Sequence, residues 1–175
     1  GECAMKIIKL IIQKDFVSNL LIFFLLSALI TYLSNRLPES FYSVKGRLLR
    51  ERPWEKGGRI YQKLFKVRQW KRFLPELSDF VKSVFPKKEI KEFTKEYMKK
   101  YIFESCKSEM THWGIIFSSL LFFFWCESGT AFLMITIAIT LNLPYIIIQR
   151  YNRPRIMEFT GAMEGRHGRL PVLKA

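Results

Sequence analysis

The sequence predicts an all-α integral membrane protein with about three hydrophobic helices, joined by basic amphipathic helices that lie in the membrane interface. Of the 175 residues 49% are hydrophobic, yet the formal net charge is +14. These two properties are segregated along the chain, because three runs without a charged residue cover 17–33, 110–126 and 131–148. A membrane-spanning helix needs about 20 predominantly apolar residues, with a range of about 17–25, so the first and third runs qualify. The second is short, because its continuous apolar part, 113–126, has 14 residues and reaches a marginal length only when extended back to 110. The whole chain, 1–175, is expected to form one membrane domain.

Composition and motifs exclude several other classes of protein. The apolar and aromatic content is too high for a disordered chain. The three cysteines form neither a paired set nor a Cys-x-x-Cys motif, which argues against a disulfide scaffold and a thiolate zinc site. No Walker loop, Gly-x-Ser-x-Gly, His-Glu-x-x-His, His-x4-Asp or Asp-x-x-Asp pattern is present, so the commonest hydrolase, metalloprotease and prenyl-transfer signatures are missing.

The first apolar run, 17–33, predicts an uncleaved membrane anchor. Three lysines precede it, Lys6, Lys9 and Lys14, as they would precede the apolar core of a signal peptide. The run is longer than such a core, however, and the sequence around Ser34 offers no small-residue cleavage site.

The second and third runs predict a helical hairpin, either spanning or re-entrant, since only Glu127–Thr130 joins them. The segment 34–109 carries 20 Lys and Arg against 10 Asp and Glu, and the tail 149–175 carries 6 against 2. By the positive-inside rule both are cytoplasmic and the hairpin turn points outward. The lysines before the anchor conflict with this orientation. Three explanations stay open: an anchor inverted against its charges, a re-entrant anchor, or an interfacial helix over Met5–Lys14.

The region 34–109 is expected to contain two amphipathic helices. In the first, over 59–74, apolar residues recur at helical spacing among lysines and arginines; they are Ile60, Leu64, Val67, Trp70 and Leu74. Gly57-Gly58 is expected to precede this helix and Pro75 to end it. Basic helices with Trp and Phe lie in the membrane interface. A nucleic-acid partner is disfavoured because no helix-turn-helix, zinc or RNP-like pattern is present; anionic lipid or a phosphorylated amphiphile is the better partner.

The second amphipathic helix begins near Lys87 and is predicted to continue into the second apolar run. One face collects four apolar residues, Ile90, Phe93, Tyr97 and Tyr101. Where this helix meets the apolar run, Glu109 and His112 are three residues apart, so they share a helical face and can hydrogen-bond. A carboxylate that orients an imidazole makes a general base; the alternative is an interfacial capping pair. No metal site is predicted, because Glu104, Glu109 and His112 do not share one face.

A second polar cluster, 149–155, follows the third apolar run directly. Three arginines surround the pair Tyr151-Asn152, and arginine can bind phosphate or carboxylate oxygens with two donors. The alternative is a stop-transfer cluster that reaches to the lipid head groups. Pro154 is expected to end the helix. Because the hairpin returns the chain to the same side, we expect His112 and Asn152 to be neighbours at one depth.

Four motifs resemble the glycosyl-4,4′-diaponeurosporenoate acyltransferase family of small bacterial membrane proteins. They occur in the expected order: Asn35-Arg36-Leu37-Pro38, Lys66-Val67-Arg68-Gln69-Trp70-Lys71, His112-Trp113 and Gln149-Arg150-Tyr151-Asn152-Arg153-Pro154-Arg155. The resemblance implies transfer of a fatty acyl group onto a sugar hydroxyl of a glycosylated carotenoid or related glycolipid. It also implies a multi-pass protein of the bacterial cell membrane that binds a lipid acceptor and an acyl donor.

The resulting hypothesis assigns His112 as general base and Glu109 as the residue that orients it. Asn152, with Arg153, stabilises the oxyanion of the tetrahedral intermediate. The residues expected to bind substrate, with the basic ones holding the phosphates of an anionic donor, are Arg150, Tyr151, Arg153, Arg155, Arg68, Trp70, Lys71 and Arg36. No cofactor or metal is expected; acyl-CoA and acyl carrier protein are equally compatible as co-substrate. A non-catalytic membrane scaffold and a lipid-binding or transport protein are the rival classes, and nothing in the sequence indicates an oligomeric state.

Overall fold

A computed structural model of the protein describes residues 2–44, 46–75 and 94–167, with side chains for 15–44, 46–75 and 94–161. The secondary structure of these residues is helical throughout, which confirms the predicted all-α class. The α-helices are α1 (Glu2–Arg36), α2 (Arg59–Phe65), α3 (Val67–Trp70), α4 (Lys95–Ser118) and α5 (Ser128–His167). Short 3₁₀ helices lie at Glu39–Tyr42, Pro53–Glu55, Lys71–Phe73 and Ser119–Phe124.

The chain divides into two compact units. The apolar unit consists of Gly1–Leu37 and Thr111–Pro144, and the polar unit consists of Pro38–Met110 and Tyr145–Ala175. Helices α4 and α5 each contribute residues to both units.

The apolar unit packs three segments around one hydrophobic cluster. Its fully buried members are Phe23, Ile115, Phe122, Ala131, Met134 and Ala138. At one end Ser34 Oγ and Thr111 Oγ1 share a hydrogen bond of 2.6 Å. At the other end Trp125 Nε1 donates to Asn19 Oδ1 at 3.2 Å. The segment 111–126 therefore runs antiparallel to α1.

The second apolar run has few residues, but part of it forms a 3₁₀ helix, which is longer per residue than an α-helix. The fifteen residues of α1 between Asn19 and Ser34 rise about 22 Å at 1.5 Å per residue. The segment 111–126 covers this distance as an α-helix to Ser118 followed by the 3₁₀ helix Ser119–Phe124. Because a 3₁₀ helix rises about 2.0 Å per residue, the change of helix type lengthens the segment.

Two of the described helices are long and apolar enough to cross a membrane, Asp15–Arg36 and Ser128–Gly161. Only 11% of the apolar window in the first is buried, unlike the core helix of a soluble protein. Large apolar side chains of the apolar unit are exposed, for example Leu25 at 70% and Phe124 at 84%. A third span over 110–126 stays a prediction.

Helix α1 runs without a break from Glu2 to Arg36. Of the three explanations left open, this continuous helix does not support a separate interfacial helix over Met5–Lys14 or a re-entrant anchor; the orientation of the anchor stays a prediction. Since Asn19 of α1 meets Trp125 near the hairpin turn, the beginning of the anchor and the turn lie at the same end of the apolar unit.

In the polar unit the segment 59–75 packs along α5. Tyr61 and Val67 are buried against Ile147, Ile148 and Tyr151 of that helix. The predicted helix over 59–74 is wrong in one respect, because it breaks at Lys66, which adopts a left-handed conformation with φ 50°. Most of the expected apolar face is present on both sides of the break. Ile60, Trp70 and Leu74 pack against the buried cluster around Tyr61, whereas Leu64 is 64% exposed.

Helix α4 confirms the predicted continuation into the second apolar run, since Lys95–Ser118 is one helix. Tyr97 and Tyr101 pack with Met98 and Ile156 as its apolar face. The remaining members of that predicted face, Ile90 and Phe93, lie outside the described residues.

Helix α5 does not end at Pro154, contrary to expectation, but continues to His167. Pro154 has no N–H to donate to the carbonyl of Arg150, and Gly58 lies against that carbonyl. A Cβ at Gly58 would be 2.9 Å from the oxygen of Arg150 and 2.8 Å from that of Tyr151. The loop backbone therefore lies against the helix at the turn where proline removes a hydrogen bond; a proline within a helix can kink it without ending it.

Candidate active-site residues

The centre of the polar unit is an ion cluster of two glutamates and two arginines, Glu55, Glu109, Arg150 and Arg153. Glu109 on α4 is completely buried. Its Oε1 accepts a hydrogen bond from Arg150 Nε at 2.7 Å, and its Oε2 accepts one from Arg153 Nη2. The two arginines are three residues apart and so share one face of α5. Glu109 thus ties α4 to α5 through two ion pairs.

Glu55 supplies the second carboxylate from the 3₁₀ helix Pro53–Glu55, and its side chain is 1% exposed. Its Oε1 accepts hydrogen bonds from Arg150 Nη1 at 2.5 Å and from the Tyr61 hydroxyl at 3.0 Å. Its Oε2 accepts one from the backbone N–H of Arg52 at 3.2 Å. Burial, with a further contribution from the Glu55 carboxylate, raises the pKa of Tyr61, so the hydroxyl stays protonated and remains a donor.

Backbone carbonyls complete the ion cluster. Arg150 Nη2 donates to the carbonyl of Leu48. Arg153 Nη2 donates to the carbonyl of Leu49 at 3.1 Å, and its Nη1 donates to Cys106 Sγ at 3.3 Å. Every nitrogen of Arg150 therefore has an acceptor, and the four formal charges cancel. Such pairing is what makes burial of four ionised groups tolerable.

Because their donors already bind protein acceptors, Arg150 and Arg153 are arranged to hold the loop 48–58 on α5. Both also border a cleft of about 400 Å³ whose apolar lining includes Val44, Leu49 and Met157. The ion cluster therefore forms part of the wall of this open cleft, which is lined by both apolar and charged residues.

A second group in the polar unit centres on the ring of Tyr151, which is buried. The guanidinium of Arg155 lies 4.2 Å from the ring centroid and donates to the Tyr151 hydroxyl at 2.5 Å. Lys71 Nζ lies 5.5 Å from the same centroid and donates to Asn152 Oδ1 at 3.2 Å. Asn152 Nδ2 in turn donates to the Tyr101 hydroxyl at 3.3 Å. Two cations converge on one aromatic ring, and Asn152 orients one of them.

In the apolar unit His112 pairs with Asn142. His112 Nδ1 is 2.8 Å from Asn142 Oδ1, and Asn142 Nδ2 donates to the carbonyl of Ala138 at 2.8 Å. Since the amide nitrogen is already directed at a carbonyl, Oδ1 is the acceptor toward the imidazole and Nδ1 carries the proton. In the neutral ring Nε2 then holds the lone pair that a general base needs.

Glu109 and His112 were expected to pair with each other, but each is hydrogen-bonded to other residues. Both carboxylate oxygens of Glu109 accept hydrogen bonds from arginines, and Asn142 holds Nδ1 of His112. Their spacing places both residues on one face of α4. Their hydrogen-bond partners differ because Glu109 and His112 lie beside different parts of α5.

The remaining predicted site residues lie in different surroundings. Arg36 is exposed, with its guanidinium 5.2 Å from the ring centroid of Tyr32. Arg68 is also exposed. Trp70 is half-buried and its Nε1 donates to the carbonyl of Phe65 at 2.6 Å. Only Trp70 of these three packs against the polar unit's core, in the cluster around Tyr61.

The family of glycosyl-4,4′-diaponeurosporenoate acyltransferases matches residues 38–162. The chain belongs to this family. The matched range contains the ion cluster, the Tyr151 group and the His112–Asn142 pair, whereas the whole of α1 lies outside it.

Curated relatives named glycosyl-4,4′-diaponeurosporenoate acyltransferase are similar over much of the chain. One from Staphylococcus haemolyticus strain JCSC1435 is 31% identical over 106 residues, which are 61% of each chain. One from Staphylococcus aureus strain MRSA252 is 27% identical over 166 residues, 93% of this chain and 97% of the relative. A third, from S. aureus strain RF122, is 26% identical over 78% of this chain and 82% of its own. No solved structure matches the chain.

Sequence reasoning missed two residues of this acyltransferase-family chain that hold others in place. Asn142 carried a usable signal, since a buried amide within an apolar run needs a polar partner. Glu55 carried none in its local sequence. The only general indication was that two arginines directly after an apolar run need carboxylates if they are buried.

Proposed function

We propose that the protein transfers a fatty acyl group onto a sugar hydroxyl of a glycosylated carotenoid or a related glycolipid in the bacterial cell membrane. The family membership and the names of the relatives support the reaction class. The exposed apolar faces of α1 and α5 support a lipid environment for both substrates.

The observation that carries the proposed mechanism is the hydrogen-bond chain from Ala138 through Asn142 to His112. It favours the tautomer in which Nε2 is basic. In the proposed reaction Nε2 of His112 takes the proton of the acceptor hydroxyl while the oxygen attacks the acyl carbonyl carbon. The leaving group of the donor then departs with the proton from the imidazolium.

The Tyr151 group is proposed to serve the acyl donor. Lys71 and Arg155, together with exposed Arg68, would bind the phosphates of acyl-CoA or of the prosthetic group of acyl carrier protein. Asn152 keeps its proposed role at the oxyanion, because Nδ2 has two hydrogens and one of them is donated to Tyr101. We propose a positioning role for Arg150 and Arg153, whose donors are directed at Glu109, Glu55 and the loop carbonyls.

The convergence of His112 and Asn152 at one leaflet boundary stays a prediction. So does the topology, in which 34–109 and the tail from 149 are cytoplasmic and the hairpin turn points outward. Together with the parallel course of α1 and the first half of α5, this topology puts the beginning of the anchor outside.

The chain offers a matched control for the proposed base, because it contains only two histidines. Purified protein in detergent would be incubated with labelled acyl-CoA and a glycosylated carotenoid acceptor, and the acylated product quantified by chromatography. We expect His112→Ala to lower kcat by about 10²–10⁴-fold, the usual contribution of a general base, and His167→Ala to leave it unchanged.

Asn142→Leu tests the tautomer argument in the same assay. Without an acceptor for Nδ1–H the imidazole loses its preferred tautomer, so we expect kcat to fall at least about tenfold while KM for acyl-CoA stays constant. Undiminished acyl transfer by His112→Ala would sink the mechanism and leave scaffold or lipid-transport roles.

A further inference from the structure

The segment 59–75 carries an outward side in addition to the side that packs on α5. Three large apolar residues on the outward side are exposed: Leu64 at 64%, Phe65 at 47% and Phe73 at 75%. Three exposed cations lie among them, Lys63, Lys66 and Arg72. These six residues are called the docking patch. The segment 59–75 contains no Asp or Glu, so its side chains add only positive charge.

The backbone break at Lys66 creates the outward side. Lys66 is left-handed with φ 50° although it is not glycine, a conformation that costs about 1 kcal/mol or more. Two hydrogen bonds hold it, from Lys66 N–H to the carbonyl of Gln62 at 3.1 Å and from Trp70 Nε1 to the carbonyl of Phe65 at 2.6 Å. In an unbroken helix Leu64 would share the buried face of Val67. The break removes it from that face and leaves it exposed.

The residues of α5 that contact the segment 59–75 indicate its depth relative to the hydrocarbon core of the membrane. Tyr61 and Val67 contact Ile147, Ile148 and Tyr151, and the Tyr145 hydroxyl donates to the carbonyl of Pro75 at 2.8 Å. The uncharged apolar run of α5 ends at 148, and a charged residue follows two positions later. The segment therefore lies beside the part of the helix where the hydrocarbon core would end.

We propose that the docking patch binds an anionic lipid surface. At this depth phosphate groups of acidic lipids would meet the three cations, and the three apolar side chains would insert at the boundary between head groups and acyl chains. The contact of Arg72 with the Phe73 ring, 5.1 Å from guanidinium carbon to centroid, shows charge and apolar surface presented together. The proposal does not depend on acyl transfer.

Site-specific photo-cross-linking in lipid nanodiscs tests this directly. The photoreactive residue p-benzoylphenylalanine would replace Phe73 in one preparation and Phe24, an exposed position on α1, in another. Each full-length protein would be placed in nanodiscs of equal amounts of phosphatidylglycerol and phosphatidylcholine, without acyl donor or acceptor. Mass spectrometry would count the two kinds of lipid adduct after irradiation.

At position 73 we expect phosphatidylglycerol adducts to exceed phosphatidylcholine adducts at least about fivefold, the factor that about 1 kcal/mol from a single nearby cation would give; at position 24 we expect a ratio of about one. Combining Lys63→Gln, Lys66→Asn and Arg72→Gln should return the ratio at 73 to about one, with asparagine chosen because it tolerates the left-handed conformation. If that variant fails to fold, 0.5 M salt on the unaltered patch is the equivalent measurement, since it screens surface charge. Equal adducts at position 73 in low salt, no lipid adduct there, or cross-links to a second copy of the chain would each overturn the proposal.

Discussion

The apolar and polar units are stabilised by different interactions, although each is built partly from α4 and α5. In the apolar unit the helices meet through a cluster around Phe23 and Phe122 and through a few neutral hydrogen bonds such as that of Asn19. In the polar unit the loop 48–58 and two helices meet around four paired charges, of which those of Glu55, Glu109 and Arg153 are buried. Lipid competes with apolar contacts between helices, whereas a buried charge has no substitute for its partner. Single substitutions should therefore harm the polar unit more.

The largest expected effect is that of Glu109→Gln. Removing this carboxylate leaves Arg153 without an anionic partner, while Arg150 keeps its ion pair with Glu55. The cluster then holds one uncompensated buried charge, which costs about 3–5 kcal/mol of unfolding free energy. The measurement is denaturant unfolding in micelles. Glu158→Gln, an exposed glutamate on α5, is the control and should change stability by less than about 0.5 kcal/mol. Equal effects of the two substitutions would mean that the ion cluster does not stabilise the polar unit.

The second-largest loss of stability is expected for Gly58→Ala, and Gly57→Ala is the matched control. Both glycines have positive φ, 76° and 68°, so each alanine adds about 1–2 kcal/mol of backbone strain. Only at Gly58 would the new Cβ meet backbone atoms, at 2.8 Å from the Tyr151 oxygen. We expect Gly58→Ala to cost at least about 1 kcal/mol more than Gly57→Ala. The same unfolding experiment gives the difference, and equal losses would contradict the close approach of the loop to α5.

In the apolar unit Asn19→Ala should have a smaller effect. It removes the acceptor for Trp125 Nε1 and Cys126 Sγ, and interhelical hydrogen bonds in membranes contribute about 0.6 kcal/mol on average. Ser18→Ala, at an exposed neighbouring position, should have no measurable effect. If Asn19→Ala lost as much stability as Glu109→Gln, the proposed difference between the two units would be contradicted.

Thiol alkylation of the folded protein tests the burial of the polar unit with the smallest expected effect on its structure. Cys106 is fully buried and burial raises the pKa of its thiol, so it stays protonated to higher pH and reacts slowly. Cys126 is half-buried. In a Cys3→Ser background, intact-mass measurement with a maleimide near pH 8 should show modification at Cys126 first. Faster modification of Cys106 in the Glu109→Gln protein would report loosening of the polar unit, whereas fast modification in the unaltered protein would contradict its burial.

The sequence predicted those parts of the fold that depend on local patterns. Uncharged runs located the apolar helices, and helical spacing from Tyr97 to Tyr101 located α4. The contact of Glu55 with Arg150 joins residues 95 positions apart, and no local pattern encodes it. The partner of His112 was missed for a related reason, since spacing gives the shared face with Glu109 but not which residue of α5 lies opposite each. Pro154 shows that a local rule can fail, because a proline removes one hydrogen bond of a helix without necessarily ending it, and α5 continues to His167.

The 3₁₀ helix Ser119–Phe124 has a consequence for the lipids around the protein. The segment from Thr111 to Trp125 follows only about 22 Å of α1, while the hydrocarbon core of a bilayer is about 30 Å thick. If this segment crosses the membrane as predicted, the 3₁₀ helix lessens the hydrophobic mismatch, and local thinning of the membrane or flanking aromatic residues such as Trp125 would relieve the rest. Under the proposed function, a thinner bilayer at this segment would shorten the path between a lipid acceptor in one leaflet and a water-soluble acyl donor.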